Sequence, residues 1–235
     1  MHPRGTRVAR SGGTVKRAGP AAEDVFADYL AAVRAGDRRA AFHVIDEARD
    51  AGVELHVLHL EVFQPTLREV GRLWQENVLT VADEHLATAI TQAAMARAFE
   101  QRFTWSDAGQ HTLIAACADT ERHEVGLRMI CDLLELQGWE TTFLGATVPI
   151  DSLVTMIERK RPDAVALSVA LAPHIPRLRA VVEQIRALID EPPLILVGGR
   201  PFLDDPSLAT RIGADLTASD AVEAVTLLRE HVGAS

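Results

Sequence analysis

The hydrophobic pattern of this 235-residue chain changes period near residue 110, and that change restricts the fold more than any other feature. Up to Trp105 apolar residues recur every three to four positions. From His111 onward, short apolar runs alternate with amphipathic stretches. The runs 112–118, 140–145, 164–169, 194–197 and 214–218 read as strands. Helices are expected after them at 125–137, 150–159, 176–188, 206–212 and 221–231. Strands and helices in strict alternation build a doubly wound parallel sheet, because right-handed crossovers place helices on both faces. The expected strand order is 2-1-3-4-5, which puts the loop after the first strand in the ligand crevice at the switch point.

Residues 21–105 read as four helices joined by short connections, and so as an antiparallel bundle. Phe26, Tyr29, Leu30 and Val33 share one face, and Gly36 stops the first helix. Asp37 caps the second, where Ala41, Val44, Ile45 and Ala48 repeat the spacing up to Gly52. The third, 54–76, turns Leu58, Val62, Leu67, Val70 and Leu73 inward and is expected to kink or restart at Pro65. Thr80 and Asp83 form a capping-box variant, opening a fourth helix with Ala89, Ala93, Ala96 and Phe103 on its inner face. Residues 106–110 form a linker to a second domain at 111–235.

Charge is unevenly placed. Residues 1–20 carry five basic side chains and no acid, so a whole-chain charge of −9 leaves −14 on the remainder. A body that acidic is a poor nucleic-acid surface. The basic tail, rich in Gly and Ser, is expected to be disordered. No apolar run is long enough to span a bilayer, and the first residues lack a signal-peptide core. The two cysteines, Cys117 and Cys131, do not make a disulfide framework, so a cytoplasmic protein is expected.

Chemistry-bearing residues gather at the carboxyl ends of the expected strands. After the first comes Glu121-Arg122-His123-Glu124-Val125-Gly126, in which Glu121 can orient the ring of His123 and Gly126 admits a bulky group. By itself this spacing also fits a solvated loop histidine. Ser168 and Ala170 close the third strand, and Gly198-Gly199 follow the fourth, leaving room for a ligand against the backbone or simply making a turn. The Gly-x-Gly-x-x-Gly dinucleotide fingerprint is missing. In the helical half, Trp74 and Gln75 end the third helix and Glu84-His85 begin the fourth, at one end of the bundle. They fit a ligand-facing cluster, or equally a core tryptophan beside a solvated helix start. His56 and His59 read as a partly exposed helix face, and His174 and His231 as ordinary polar positions.

In combination, Glu121-x-His123-x-x-Gly126, Ser168-x-Ala170 and Gly198-Gly199 resemble the three-part signature of cobalamin-binding domains. The preceding helices resemble the cap that accompanies such domains in methionine synthase. Trp74, nine residues, then Glu84-His85 is similar to the motif of B12-dependent photoreceptors. The resemblance covers residues 21–232 and implies a five-stranded flavodoxin-like Rossmann domain under a four-helix cap. It implies that His123 replaces dimethylbenzimidazole as the lower cobalt ligand, with Glu121 as its partner and Arg122 within the motif. Gly126, Ser168, Ala170 and Gly198-Gly199 would line the slot for the displaced nucleotide tail. Trp74, Glu84 and His85 would cover an adenosyl group on the upper face.

The chain departs from the photoreceptor pattern at Gln75, where a histidine otherwise follows the tryptophan, so the same bis-histidine photoproduct is not expected. No DNA-binding module is expected before the cap. The resemblance therefore implies a stand-alone adenosylcobalamin light sensor, not an enzyme, acting through self-association or an unidentified protein partner. Some stand-alone relatives also hold a bilin between cap and sheet, which this sequence neither requires nor excludes. The alternatives are the corrinoid methyl-carrier subunit of a methyltransferase system and a cobalamin storage protein.

Overall fold

A computed structural model of the chain describes residues 20–101, 109, 111–118 and 120–232. The basic tail before Pro20, Phe103 at the end of the fourth helix, most of the linker and Asp119 lie outside the described residues.

Four helices form the first half of the described chain. They are α1 (Ala22–Arg34), α2 (Arg38–Asp50), α3 (Leu55–Val57, Leu58–Phe63 and Gln64–Gln75 in one run) and α4 (Val81–Glu100). The caps read from sequence are in place. Asp37 accepts from the amides of Arg39 and Ala40, and Thr80 and Asp83 form a reciprocal capping box. Gly36 and Gly52 take positive φ where α1 and α2 end. Tyr29 lies at the bundle centre, edge-on to Phe63 at 5.4 Å, with its hydroxyl donating to Thr91 at 3.2 Å.

Two expectations for these helices change. Pro65 sits in the first turn of the α-helical segment Gln64–Gln75, and the run continues across it without a break. The turn before it, Leu58–Phe63, is π-helical, and the Gln64 amide reaches back five residues to the His59 carbonyl. A widened turn absorbs proline's missing donor and ring clash without ending the helix. The inner face of α4 is also rotated from the one expected. Ala87, Ile90, Thr91, Ala94, Met95, Ala98 and Phe99 are buried, whereas Ala89 is exposed and Ala93 and Ala96 are half-buried. Alanines occupy every face of α4, so its apolar contrast is too small to set the phase.

The second half is a parallel sheet of β1 (Thr112–Ala118), β2 (Glu140–Val148), β3 (Ala164–Ser168), β4 (Leu194–Gly198) and β5 (Leu216–Thr217), in the expected order β2-β1-β3-β4-β5. Between them run α5 (Val125–Glu135), α6 (Ile150–Lys160), α7 (Ile175–Leu188), the short α8 (Arg200–Asp204) and α9 (Leu208–Arg211), and α10 (Ala221–Val232). The single helix expected at 206–212 is thus replaced by two short ones around Pro206. Near-continuous burial of β1, β3 and β4 is what a parallel sheet covered on both faces requires. One face packs with α5 and α10 into the same apolar cluster as the helical half, and the other packs against α6 and α7.

His59, on the π-helical turn, is not on an exposed face. It is fully buried with Nε2 3.6 Å from Asp132 on α5, and Asp132 also receives Arg128 at 2.6 Å. Burial holds the imidazole neutral, with its pKa lowered to about 3, and pushes the carboxyl of Asp132 up to about 6.

Candidate functional site at the carboxyl edge of the sheet

The site begins at the end of β1. The Glu121 amide donates to the Ala118 carbonyl at 3.0 Å, α5 begins without a side-chain cap at Glu124, and Glu121 is fully buried. An isolated carboxylate in that position would be costly, and it is stabilised by its donors. Its Oε1 accepts from the amides of Arg122 at 2.8 Å and His123 at 3.0 Å, and also from Nδ1 of His123. Its Oε2 accepts from the Ala170 amide at 2.8 Å and from Nδ1 of His174 at 3.0 Å. Burial alone would raise the pKa of Glu121. The hydrogen bonds from His123, His174 and Ala170 outweigh it and hold the carboxyl well below the usual range.

With Nδ1 tied to Glu121, His123 has its other nitrogen to offer. Its side chain is 59% exposed, and among the described residues Nε2 has no partner. Its pKa is raised, chiefly by the hydrogen bond to Glu121 and against burial, with the charges of Glu121 and Glu84 adding. A carboxylate behind an imidazole fixes the tautomer, aims the ring and increases its basicity toward a metal. Among the described residues no three His, Cys, Asp or Glu side chains converge on one point. The donor set is therefore a single imidazole, which suits a metal that arrives with its own equatorial ring of nitrogens.

The space around this ligand fits a large group. A Cβ built on Gly126 or on Gly198 would meet nothing within 4 Å, so both backbones border open volume. Ser168 and Gly198 are register partners across β3 and β4, and the Ser168 hydroxyl makes no hydrogen bond among the described residues. Gly199 has a different duty. At φ +111° its Cβ would fall 1.8 Å from the Val169 carbonyl, so only glycine lets the β4 loop close over β3 there. Ala170 contributes its backbone amide, and Arg122 likewise contributes an amide while its side chain is exposed.

The helical half reaches this loop through Gln92, which donates to Glu124. Trp74 is 45% exposed, Gln75 and His85 are exposed, and Val78 and Val81 add apolar surface at the same end of the bundle. Glu84 accepts from Thr88 at 3.0 Å and pairs with Nδ1 of His85 at 2.6 Å. Trp74 is thus not a core residue, and Glu84 lies close enough to His123 to act on it electrostatically.

Two participants were missed. His174 was read as an ordinary polar position, yet it holds Glu121. Its place four residues after Ala170, in the loop leaving β3, was the available signal. Glu124 stitches three elements together. Its Oε1 accepts from Gln92 of α4 at 2.8 Å and its Oε2 from the Ala146 amide at 2.7 Å, beside the irregular end of β2. One depression lies at the opposite, amino edge of the sheet, near Arg161, Asp163, Arg186 and Asp215. Arg186 is bonded to Asp215 there at 2.6 Å, and no candidate residue is nearby.

Comparison with known proteins identifies both halves of the chain. Two family models, each described as a B12 binding domain, match residues 25–98 and 111–226. The HTH-type transcriptional repressor CarH of Myxococcus xanthus is 30% identical over 201 residues, covering 85% of this chain and 66% of that protein. A second repressor of that organism, CarA, is 35% identical over 136 residues and is covered over 44% of its length. The chain therefore spans two thirds or less of these repressors. Trimethylamine corrinoid protein 1 of Methanosarcina acetivorans is 25% identical over 211 residues, covering 88% of this chain and 96% of that protein. In fold, the Methanosarcina barkeri monomethylamine corrinoid protein superposes with a TM-score of 0.76 at 18% identity, over 90% of this chain and all of that one.

Proposed function

The chain belongs to the B12-binding-domain proteins, and from that premise we propose that it is a cobalamin-dependent light sensor. It holds adenosylcobalamin between the end of the helical half and the carboxyl edge of the sheet. Bound there, the cofactor supplies visible absorption and a photolabile cobalt–carbon bond. His123, aimed by Glu121, would hold the cobalt through Nε2. Ser168, Gly198 and Gly126 border the slot for the displaced nucleotide tail. Trp74, Glu84 and His85 cover the upper face and exclude water from the adenosyl group.

The observation that carries this reading is the exposed Trp74 with Glu84 and His85 at the bundle end nearest His123. Gln75, beside Trp74, offers no imidazole that could hold the cobalt from the cap side. The output is a change in self-association or in contact with a protein partner. The domain limits implied are a cap over residues 21–105 and a cofactor domain over 111–235. A second, bilin chromophore in the same gap would be noncovalent. Cys117 and Cys131 are both buried, and burial raises both thiols to about 12.

The test is the absorbance and hydrodynamic size of the protein loaded with adenosylcobalamin, before and after green light, beside His123→Ala. Changes no greater than those of the cofactor alone in solution would remove the sensor reading. One observation favours a second reading, a corrinoid methyl carrier: the chain spans nearly the whole of a trimethylamine corrinoid protein. Preference for methylcobalamin, with methyl transfer to a thiol and no response to light, would select it.

A further inference from the structure

Glu121 has two edges, and His123 occupies only one of them. The other holds His174, the last residue of a short 3-10 turn, Ala172–His174, that leaves β3. This contact joins the β3–α7 loop to the β1–α5 loop through one buried carboxylate. Both oxygens of Glu121 already accept from backbone amides, so Nδ1 of His174 is the donor in this contact, which fixes that ring's tautomer as it does that of His123. The His174 side chain is 25% exposed, and its ring lies at the same sheet edge as Ser168.

A carboxylate held from one edge can still turn about its last side-chain bond, where the torsional wells are broad. The Ala170 amide restrains one point on the second edge. A second donor on Oε2 sets the plane. Since the His123 ring takes its direction from Oε1, the plane of Glu121 decides where Nε2 points. Ser168, the other polar side chain at this edge, does not supply that donor, because its hydroxyl makes no hydrogen bond among the described residues.

We propose that His174 is a positioning residue for the axial imidazole: His174 and His123 hang on the two oxygens of Glu121, and His174 fixes the carboxylate plane that aims Nε2 of His123. This deepens the cobalamin reading above and rests on it. It concerns a side chain that acts through Glu121.

The experiment compares His174→Leu, which removes the donor, with His174→Asn, whose amide nitrogen stands where Nδ1 stood. Each is loaded with cobalamin, and the imidazole-on fraction is read from the visible spectrum and from nitrogen hyperfine splitting in the reduced Co(II) form. Thermal unfolding without cofactor is measured in parallel. The expected result is an imidazole-on fraction at least fivefold lower in His174→Leu, largely restored in His174→Asn, with similar melting of both. A parental spectrum in His174→Leu, or equal loss in both variants, overturns the proposal. If His174→Leu does not fold, His174→Thr replaces it with the same expectations. Failure of the underlying reading looks different: the unmutated protein then shows no imidazole-on spectrum, or His123→Ala keeps it.

Discussion

Neutralising Glu121 gives the sharpest test of how this site is built. In Glu121→Gln the side chain keeps its volume, so no cavity forms and the change is electrostatic. Its amide oxygen can take over the edge that accepts from the Arg122 and His123 amides and from the His123 ring. The amide nitrogen then faces the Ala170 N–H, which sits 2.8 Å from the present Oε2, and two donors confront each other. His174 can answer by changing tautomer, but Ala170 cannot. Flipping the amide is worse, because its nitrogen would then meet three donors. One buried amide left unpaired, and three charge-assisted bonds made neutral, cost about 3 kcal/mol after allowing for relief of the buried charge. In a chain of this length that lowers the melting temperature by about 6–12 °C. The assay is urea and thermal unfolding of the protein without cofactor. If Glu121 were merely a costly buried charge, the same variant would be more stable than the parent. Unchanged or raised stability would therefore refute the reasoning.

Four further outcomes are expected. Gly199→Ala should destabilise the cofactor-free protein by roughly 3 kcal/mol or more through backbone strain and the clash with Val169. Gly198→Ala and Gly126→Ala should fold normally and instead weaken cobalamin retention, as dialysis against buffer would report. Trp74→Ala should leave unfolding within about 1 kcal/mol of the parent, since the ring is half-exposed, yet weaken adenosylcobalamin binding more than that of a form without the adenosyl group. His59, held neutral with a pKa of about 3, binds fewer protons folded than unfolded between there and its ordinary 6.5. It therefore costs stability as pH falls below 6.5, about 2.7 kcal/mol by pH 4.5. Asp132, raised to about 6, acts in the opposite sense below that pH, so the two offset each other in the parent. His59→Phe should consequently gain stability relative to the parent on going from pH 7 to pH 4.5. Parallel pH profiles for the two proteins would show that His59 is not held neutral.

The parallel sheet and its strand order were legible because each strand carries its own apolar run and helix, and handedness leaves few ways to connect them. His123 was legible for a related reason: its partner Glu121 is two residues away on the same loop. What escaped was non-local or low in contrast. His174 meets Glu121 from another loop, and Gln92 meets Glu124 from another half of the chain. Nothing in the local spacing of either residue marks those contacts. Alanines on every side of α4 hid its inner face. Pro65 forbids an ordinary helical turn without saying what replaces it, and the π-helical solution also turned His59 inward toward Asp132.

That buried pair has a mechanical consequence. The helical half is tied to the start of α5 by the hydrogen bond from Gln92 to Glu124, whereas further along His59 and Asp132 face each other at 3.6 Å without a hydrogen bond. Eight residues of helix separate Glu124 from Asp132, roughly 12 Å. One end of the rail is pinned, and the other carries two buried polar groups that gain nothing from each other. Relative movement of the helical half and the helix that issues from the His123 loop is therefore cheapest at the Asp132 end, with Glu124 as its pivot.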